Sequence, residues 1–130
     1  MRLQLRQLNE QTEKRRALAL RYNELLRPYV GVPDEALGEY CVYQTYVIKA
    51  EHRDELKKHL IDQGIEVLIH YPIPIHLQPA AKYLGYSQND FPNTMQHVSQ
   101  ILSLPIYPNM TEDQQDYVVG GIKKFYKGMH

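Results

Sequence analysis

Residues 67–79 have the sequence VLIHYPIPIHLQP. This segment starts with a short apolar run and continues with two histidines, a tyrosine and three prolines. Each proline fixes its own φ, removes a backbone donor and keeps the preceding residue out of the helical region. The sequence therefore predicts a strand that ends in a rigid, extended segment. Such a segment presents imidazole and phenol groups in fixed positions, which suits a ligand site.

The first 27 residues have the spacing of a long helix. No capping residue precedes it, because the chain starts with Met1 and Arg2. From the pattern alone, a frayed N-terminal helix and a helix cut from a larger protein are equally expected. Apolar or small side chains recur on one face over residues 2–27, at Leu5, Leu8, Thr12, Ala19, Tyr22 and Leu26.

Strands and shorter helices alternate over the rest of the chain. Predicted strands cover 40–50, 65–69 and 102–106. Predicted helices cover 53–63, 76–84, 93–102 and about 111–126. Gly64 and Gly85 are expected to end two of these helices, and Thr111 with Gln114 forms a capping box that opens the last one. This order predicts an α/β domain with a small sheet covered by helices.

Composition limits the classes of function. Fifteen basic and fifteen acidic side chains leave no net charge to attract nucleic acid or an anionic membrane. The single cysteine, Cys41, excludes an internal disulfide framework and suits a reducing compartment. No apolar run is long enough to span a bilayer, and the N-terminus lacks the continuous apolar region of a signal peptide. We therefore expect a soluble, cytoplasmic protein.

His70 and Tyr71 follow a predicted strand, at the edge where open α/β sheets tend to bind ligands. They suit hydrogen bonding to a sugar or phosphate oxygen, or proton relay near a cofactor. A buried histidine that donates to a backbone carbonyl is the more common alternative. A metal site is not expected. His52 and His59 lie about 10 Å apart on one helix, and no carboxylate pair or second cysteine completes a ligand set.

The motifs resemble those of a known family, in the same order and spacing. Residues 69–80 look like the C-terminal part of the DegT/DnrJ/EryC1/StrS family, which are aminotransferases that use pyridoxal phosphate (PLP) and act on nucleotide-linked keto-sugars. The resemblance covers nearly the whole chain. It continues through Arg15-Arg16-Ala17, Arg21-Tyr22, Leu84-Gly85-Tyr86, Asp90-Phe91-Pro92, Leu102-Ser103-Leu104-Pro105-Ile106-Tyr107-Pro108 and Thr111-Glu112-Asp113-Gln114.

The resemblance implies a fold like the small C-terminal domain of fold-type I aminotransferases, with a mainly antiparallel sheet. Residues 1–28 would form the linking helix, and residues 29–130 the small domain. In the family, the lysine that forms the Schiff base, the acidic partner of the pyridinium nitrogen and the phosphate cup lie in a large N-terminal domain. That domain has no counterpart in these 130 residues. Family members are typically dimers, which implies a possible homo-oligomer.

The resemblance also assigns candidate site residues. It places His70 beside the active-site cleft, as a residue that binds substrate. Tyr71 and His76 are candidates for the same role, with less direct support. It assigns no catalytic, cofactor-binding or metal residue to this chain. Two positions depart from the family pattern: Gln44 stands where many members have a histidine, and Met95 where an acidic residue is frequent.

Two functions are compatible with these features. The first is a C-terminal domain or fragment of a nucleotide-sugar aminotransferase, which moves an amino group from an amino acid such as glutamate to a keto-sugar. By itself the chain would be inactive. The alternative is a stand-alone, non-catalytic module that binds a sugar nucleotide or pairs with a full-length subunit.

Overall fold

The computed structural model describes residues 2–129, with side chains from residue 6 onward. The α-helices are α1 (Arg2–Leu26), α2 (Arg53–Asp62), α3 (Pro92–Gln100) and α4 (Glu112–Lys127). The strands are β1 (Tyr46–Lys49) and β2 (Ile101–Leu104). Short 3-10 helices cover Ile75–Leu77, Pro79–Leu84 and Gln88–Asp90. The predicted long first helix is therefore confirmed, as is the predicted mixture of helices and strands.

The sheet is small and antiparallel, as predicted. β1 pairs with β2 so that Tyr46 lies opposite Leu104 and Lys49 lies opposite Ile101. Gly31 extends the sheet beyond β1 by a single antiparallel bridge to Lys49, with two backbone hydrogen bonds of 2.8 Å. The side chain of Lys49 lies so near Gly31 that a Cβ there would meet the Lys49 Cβ at 3.2 Å. A glycine is thus suited to this close approach.

The strand predicted at 65–69 is reduced to one bridge. Leu68 and Ser103 exchange backbone hydrogen bonds of 3.2 and 2.8 Å, so the segment runs beside β2 without forming a regular ladder. Ile65 and Val67 are buried, whereas Leu68 is exposed. Gly64, with a φ of 76°, precedes the segment. The residues that follow the segment include prolines, which have no backbone donor. These ends leave little length for pairing.

The strand predicted at 40–50 begins only at Tyr46. Tyr43 has a φ of 45°, a left-handed conformation that does not belong to a strand. The loop before it is held against α1. The guanidinium group of Arg16 donates to both carboxylate oxygens of Glu35, at 2.6 and 3.0 Å, and to the Cys41 carbonyl. Arg16 of the first helix thus anchors a loop of the same chain.

The helix predicted at 76–84 is two 3-10 helices. Gln78 separates them in an extended conformation, because Pro79 disfavours helical geometry at the residue before it. Gly85 closes the second with a φ of 74°, as expected. α3 ends at Gln100, two residues earlier than predicted, since Ile101 is already extended and starts β2. The capping box of Thr111 and Gln114 opens α4 as predicted.

Tyrosine rings form the centre of the core. Tyr22 and Tyr46 are fully buried, with ring centroids 4.9 Å apart, and Tyr43 packs 6.3 Å from Tyr46. The Tyr22 hydroxyl donates to the Pro105 carbonyl at 3.0 Å, and the Tyr46 hydroxyl donates to Asn23 Oδ1 at 2.6 Å. Each buried hydroxyl is therefore satisfied, which allows these rings to replace wholly apolar ones.

The remaining core connects α1, α2, α4 and the sheet. α4 packs against both α1 and α2. Of the stripe predicted on α1, residues Thr12, Ala19, Tyr22 and Leu26 are buried, but Leu8 is 47% exposed because the N-terminal half of α1 has less of the domain beside it. The predicted Leu5 lies outside the described side chains. No helix within residues 2–129 is both long and apolar enough to cross a membrane.

Burial of the tyrosines predicts a loss of stability at alkaline pH. Burial raises the pKa of Tyr22 and Tyr46 above the ordinary value of 10.0, and that of Tyr126 to about 12. Above pH 10 the unfolded chain therefore loses phenolic protons that the folded chain retains, and the free energy of unfolding falls as pH rises. Urea titrations between pH 8 and about 11 measure this slope. Tyr22→Phe should make it shallower, and an unchanged slope would contradict the explanation.

Candidate functional site

A cavity of about 540 Å³ lies where the histidine and proline segment passes α3 and the start of β2. The three candidate residues His70, Tyr71 and His76 all line it. Most of the remaining wall is apolar, and among the described residues no lysine, arginine, aspartate or glutamate lines the cavity. The other lining residues are Ile73, Pro74, Ile75, Gln78, Ala81, Leu84, Tyr86, Phe91, Thr94, Val98 and Ile101.

His70 is positioned by β2. Its Nδ1 lies 2.9 Å from Ser103 Oγ, and Ser103 is held in turn by the backbone pair with Leu68. The peptide bond between His70 and Tyr71 is cis. The two rings meet edge to face, with centroids 5.7 Å apart. His70 is half-buried, and Tyr71 is 72% exposed. His70 is thus the fixed member of the candidate set, and Tyr71 the accessible one.

His70 also borders a second, more polar cavity of about 310 Å³. Its polar wall includes Gln44, Glu66, Ser103 and Tyr107. Gln44, at the position that departs from the family pattern, therefore lies near the histidine of the motif. His70 stands between a strongly apolar space and one that also contains several polar groups. A ligand with a hydrophobic ring and several oxygens matches this division.

His76 is placed less favourably for contact with a ligand. Its ring packs on Phe91 with centroids 4.6 Å apart. Its Nε2 is enclosed and has no hydrogen-bond partner among the described residues. An atom closed to water is also closed to a ligand in the open cavity. In this arrangement the His76 ring contributes its face and edge to the wall.

Short structured turns hold the far wall of the cavity. Asp90 accepts hydrogen bonds from the backbone N–H of Ser87 at 2.6 Å and from its hydroxyl at 2.8 Å. These bonds keep the pKa of the Asp90 carboxyl below its ordinary value. They fix the turn that presents Tyr86 and Phe91, whose rings meet edge to face at 5.1 Å. The two aromatic rings of this wall are therefore held in place.

The two cavities do not fit PLP. That cofactor requires a lysine amine, an acidic partner for its ring nitrogen and several donors for its phosphate. The larger cavity has no charged group among its described lining residues, and Glu66 is the charged group that lines the smaller one. Within residues 2–129, no three His, Cys, Asp or Glu side chains are grouped to hold a metal ion. The arrangement can contact a ligand, but it does not supply cofactor chemistry.

Several residues of this region were not predicted from sequence. Tyr86 and Phe91 reach the cavity through the 3-10 turns that fold back onto the histidine segment, whereas Thr94 lies on α3 and Ile101 on β2. Ser103 had a usable signal: it is a hydroxyl residue inside the apolar strand of Ile101, Leu102 and Leu104. A buried hydroxyl in such a strand implies a polar partner.

Comparison with known proteins gives consistent results. The model of the DegT/DnrJ/EryC1/StrS aminotransferase family matches residues 1–123. The chain is 42% identical over 124 residues to the "Pleiotropic regulatory protein" of Geobacillus stearothermophilus, covering 92% of this chain and 33% of that protein. It is 33% identical to the dTDP-3-amino-3,4,6-trideoxy-alpha-D-glucose transaminase of Streptomyces venezuelae, covering 96% of this chain and 34% of that protein.

Solved structures share the fold. The crystal structure of S. venezuelae DesV in complex with a ketimine intermediate superposes with a TM-score of 0.90 at 33% identity, covering 95% of this chain and 34% of that chain. The chain thus spans about a third of the length of the relatives it matches. The expected resemblance and the α/β fold are both confirmed. On this evidence the chain belongs to the DegT/DnrJ/EryC1/StrS aminotransferase family.

Proposed function

We propose that residues 29–130 form the C-terminal small domain of a PLP-dependent nucleotide-sugar aminotransferase, with residues 1–28 as the helix that links it to a larger part. The whole protein would transfer an amino group from an amino acid such as glutamate to a nucleotide-linked keto-sugar. One observation carries the proposal: the family matches residues 1–123, and the motif residues His70, Tyr71 and His76 line one cavity.

In this proposal His70 and Tyr71 contact the substrate, and His76 shapes the wall beside them. The cavity offers apolar and aromatic surface, which suits the flat faces of a sugar or a base. It offers no cationic group among its described lining residues, so the phosphates would be bound by other parts of the protein. The name of the S. venezuelae relative, a transaminase of a dTDP-linked sugar, supports this substrate class.

An exposed apolar surface beside the cavity supports the presence of a partner surface. Ile75 is 81% exposed and Tyr83 is 85% exposed, and other large apolar side chains of the same segment are accessible. A group of exposed large apolar side chains in one segment is typical of an interaction site. The occupant we propose is the larger PLP-binding part of the same protein or a full-length subunit. The exposed set in this segment is Tyr71, Ile73, Ile75, Tyr83, Leu84, Tyr86 and Phe91.

We expect the 130-residue chain alone to lack both transaminase turnover and a specific PLP site, because no lysine is among the described residues that line the two cavities. The test is an absorbance titration with PLP, followed by borohydride reduction and peptide mapping. Labelling should be weak and spread over surface lysines. The same labelling of the urea-unfolded chain serves as control, since a folded site would show an excess at one lysine.

Stoichiometric labelling of one lysine in the folded chain, or turnover of a keto-sugar with glutamate, would contradict the proposal. A stable monomer that binds a sugar nucleotide without labelling would favour the alternative function, a stand-alone binding module. Self-association of the chain, measured by sedimentation, would agree with an uncovered interface instead.

A further inference from the structure

Ser103 is a buried hydroxyl residue on an apolar strand. It is 6% exposed and stands between the buried Leu102 and Leu104. A hydroxyl in such surroundings is costly unless it makes a hydrogen bond. Its side-chain partner among the described residues is His70 Nδ1, at 2.9 Å. The contact is therefore the reason a polar residue is tolerated at this position.

The backbone fixes the geometry of this pair. Ser103 exchanges two backbone hydrogen bonds with Leu68 on one side, and it lies opposite Val47 of β1 on the other. Ser103 thus lies between β1 and the segment of Leu68, and His70 follows Leu68 by two residues. Both residues of the pair are therefore held by backbone hydrogen bonds at their own positions or two residues away. A hydrogen bond held in this way can choose between the two tautomers of the imidazole.

The hydrogen bond between Ser103 and His70 favours one tautomer of the His70 ring. If Nδ1 carried the imidazole proton, Ser103 Oγ would accept it, and the hydroxyl proton would have no protein acceptor within residues 2–129. If Nδ1 is unprotonated, the hydroxyl donates to it, and both groups are satisfied. The neutral ring then carries its proton on Nε2.

The Nε2 atom of His70 faces space that a ligand can enter. It has no hydrogen-bond partner among the described residues and, unlike the Nε2 of His76, it is not enclosed. His70 lines the 540 Å³ cavity, whereas Ser103 lines the 310 Å³ cavity on the other side of His70. A proton on Nε2 is therefore available to an acceptor atom of a bound molecule.

We propose that Ser103 is a positioning residue: it keeps neutral His70 in the Nε2–H tautomer, so that His70 donates a hydrogen bond to an oxygen of the substrate. The oxygen is a hydroxyl or carbonyl oxygen of the nucleotide-linked sugar, and this part rests on the proposed function. In this role neutral His70 is a hydrogen-bond donor through Nε2. The tautomer itself depends only on the pair and is measurable without substrate.

Long-range ¹H–¹⁵N correlation spectra of the chain with ¹⁵N-labelled histidine test the proposal. Spectra are recorded well above the histidine pKa, and the His70 signals are identified by their loss in His70→Gln. We expect a protonated-type shift for Nε2 and an unprotonated-type shift for Nδ1. Ser103→Ala should move both shifts towards the averaged values of a tautomer mixture. Ser103→Thr, which keeps the hydroxyl, should restore the wild-type shifts.

Ser99→Ala is the matched control, because Ser99 is exposed and its hydroxyl donates to the Gln96 carbonyl. It should leave the His70 shifts unchanged. A wild-type Nδ1–H tautomer would overturn the proposal even if Ser103→Ala fails to fold. Unchanged His70 shifts in a folded Ser103→Ala protein would overturn it as well.

Addition of a thymidine-diphosphate-linked sugar, which carries the proposed acceptor oxygen, separates this proposal from the proposed function. A change in the His70 Nε2 shift on addition supports a substrate-facing donor. If the wild-type chain shows the expected tautomer but no response to the sugar nucleotide, the assignment of an oxygen of a nucleotide-linked sugar as acceptor is overturned, while the positioning by Ser103 stands.

Discussion

Replacement of Tyr22 by alanine is expected to lower the free energy of unfolding by about 3–5 kcal/mol, the range for loss of a large core aromatic side chain. Tyr22 is fully buried, stacks against Tyr46 at 4.9 Å and lies in the core cluster shared by α1, the sheet and α4. The truncation removes the ring from the point where these elements meet, and the enclosed site leaves a cavity.

Tyr22→Phe separates the ring from its hydroxyl. This variant keeps the packing but leaves the Pro105 carbonyl without its 3.0 Å hydrogen bond. Its expected cost is about 1–2 kcal/mol, the penalty for one unmade buried hydrogen bond. Urea unfolding followed by circular dichroism measures both variants. Tyr83→Ala, at a side chain 85% exposed, is the control and should change stability by less than about 0.5 kcal/mol. A Tyr22→Ala effect as small as the control's would contradict this account of the core.

Local sequence signals predicted several helix ends correctly. The capping box of Thr111 and Gln114 has all its partners within four residues, so its presence in the sequence was enough to place the start of α4. Gly64 and Gly85 adopt the positive φ expected of residues that end helices. Signals of this kind depend only on neighbours along the chain.

The strands were predicted less accurately because pairing depends on distant residues. The β-forming residues from 40 to 45 are not in a strand, since Arg16, a residue of α1, binds Glu35 and the Cys41 carbonyl and draws the loop towards the helix. The segment 65–69 meets β2 only at Leu68. The β-propensity of the side chains does not determine how many residues of another strand a segment will pair with.

The candidate site was predicted in part. The motif predicted His70, Tyr71 and His76 as site residues, and these three line one cavity. Their contact with substrate stays a prediction. The opposite wall was not predicted, because Tyr86 and Phe91 approach the histidines only through two 3-10 turns whose path no local pattern describes. Ser103, which holds His70, was not predicted either, although its hydroxyl within an apolar strand was visible in the sequence.

The second large effect is expected at Gly121, where α4 crosses α2. A Cβ at this position would lie 2.9 Å from Leu60 Cδ2 and 3.1 Å from Ile65 Cδ1. Both of these side chains are buried and have little room to move. The Gly121 carbonyl also lies 3.2 Å from His59 Nε2, which holds the helices together at the same point. Gly121→Val should therefore destabilise the fold by about 2–3 kcal/mol through overpacking.

The neighbouring Gly120 provides a matched control, because a Cβ there would meet nothing within 4 Å. Gly120→Val should be neutral or stabilising by a few tenths of a kcal/mol, since valine has a higher helix propensity than glycine. Thermal and urea unfolding of the two variants isolate the steric effect from helix propensity. Shortening Leu60 should relieve the clash, so Leu60→Ala should cost less in the Gly121→Val background than alone. Equal stability of the two glycine variants, or strict additivity in the double variant, would contradict close packing of α2 on α4.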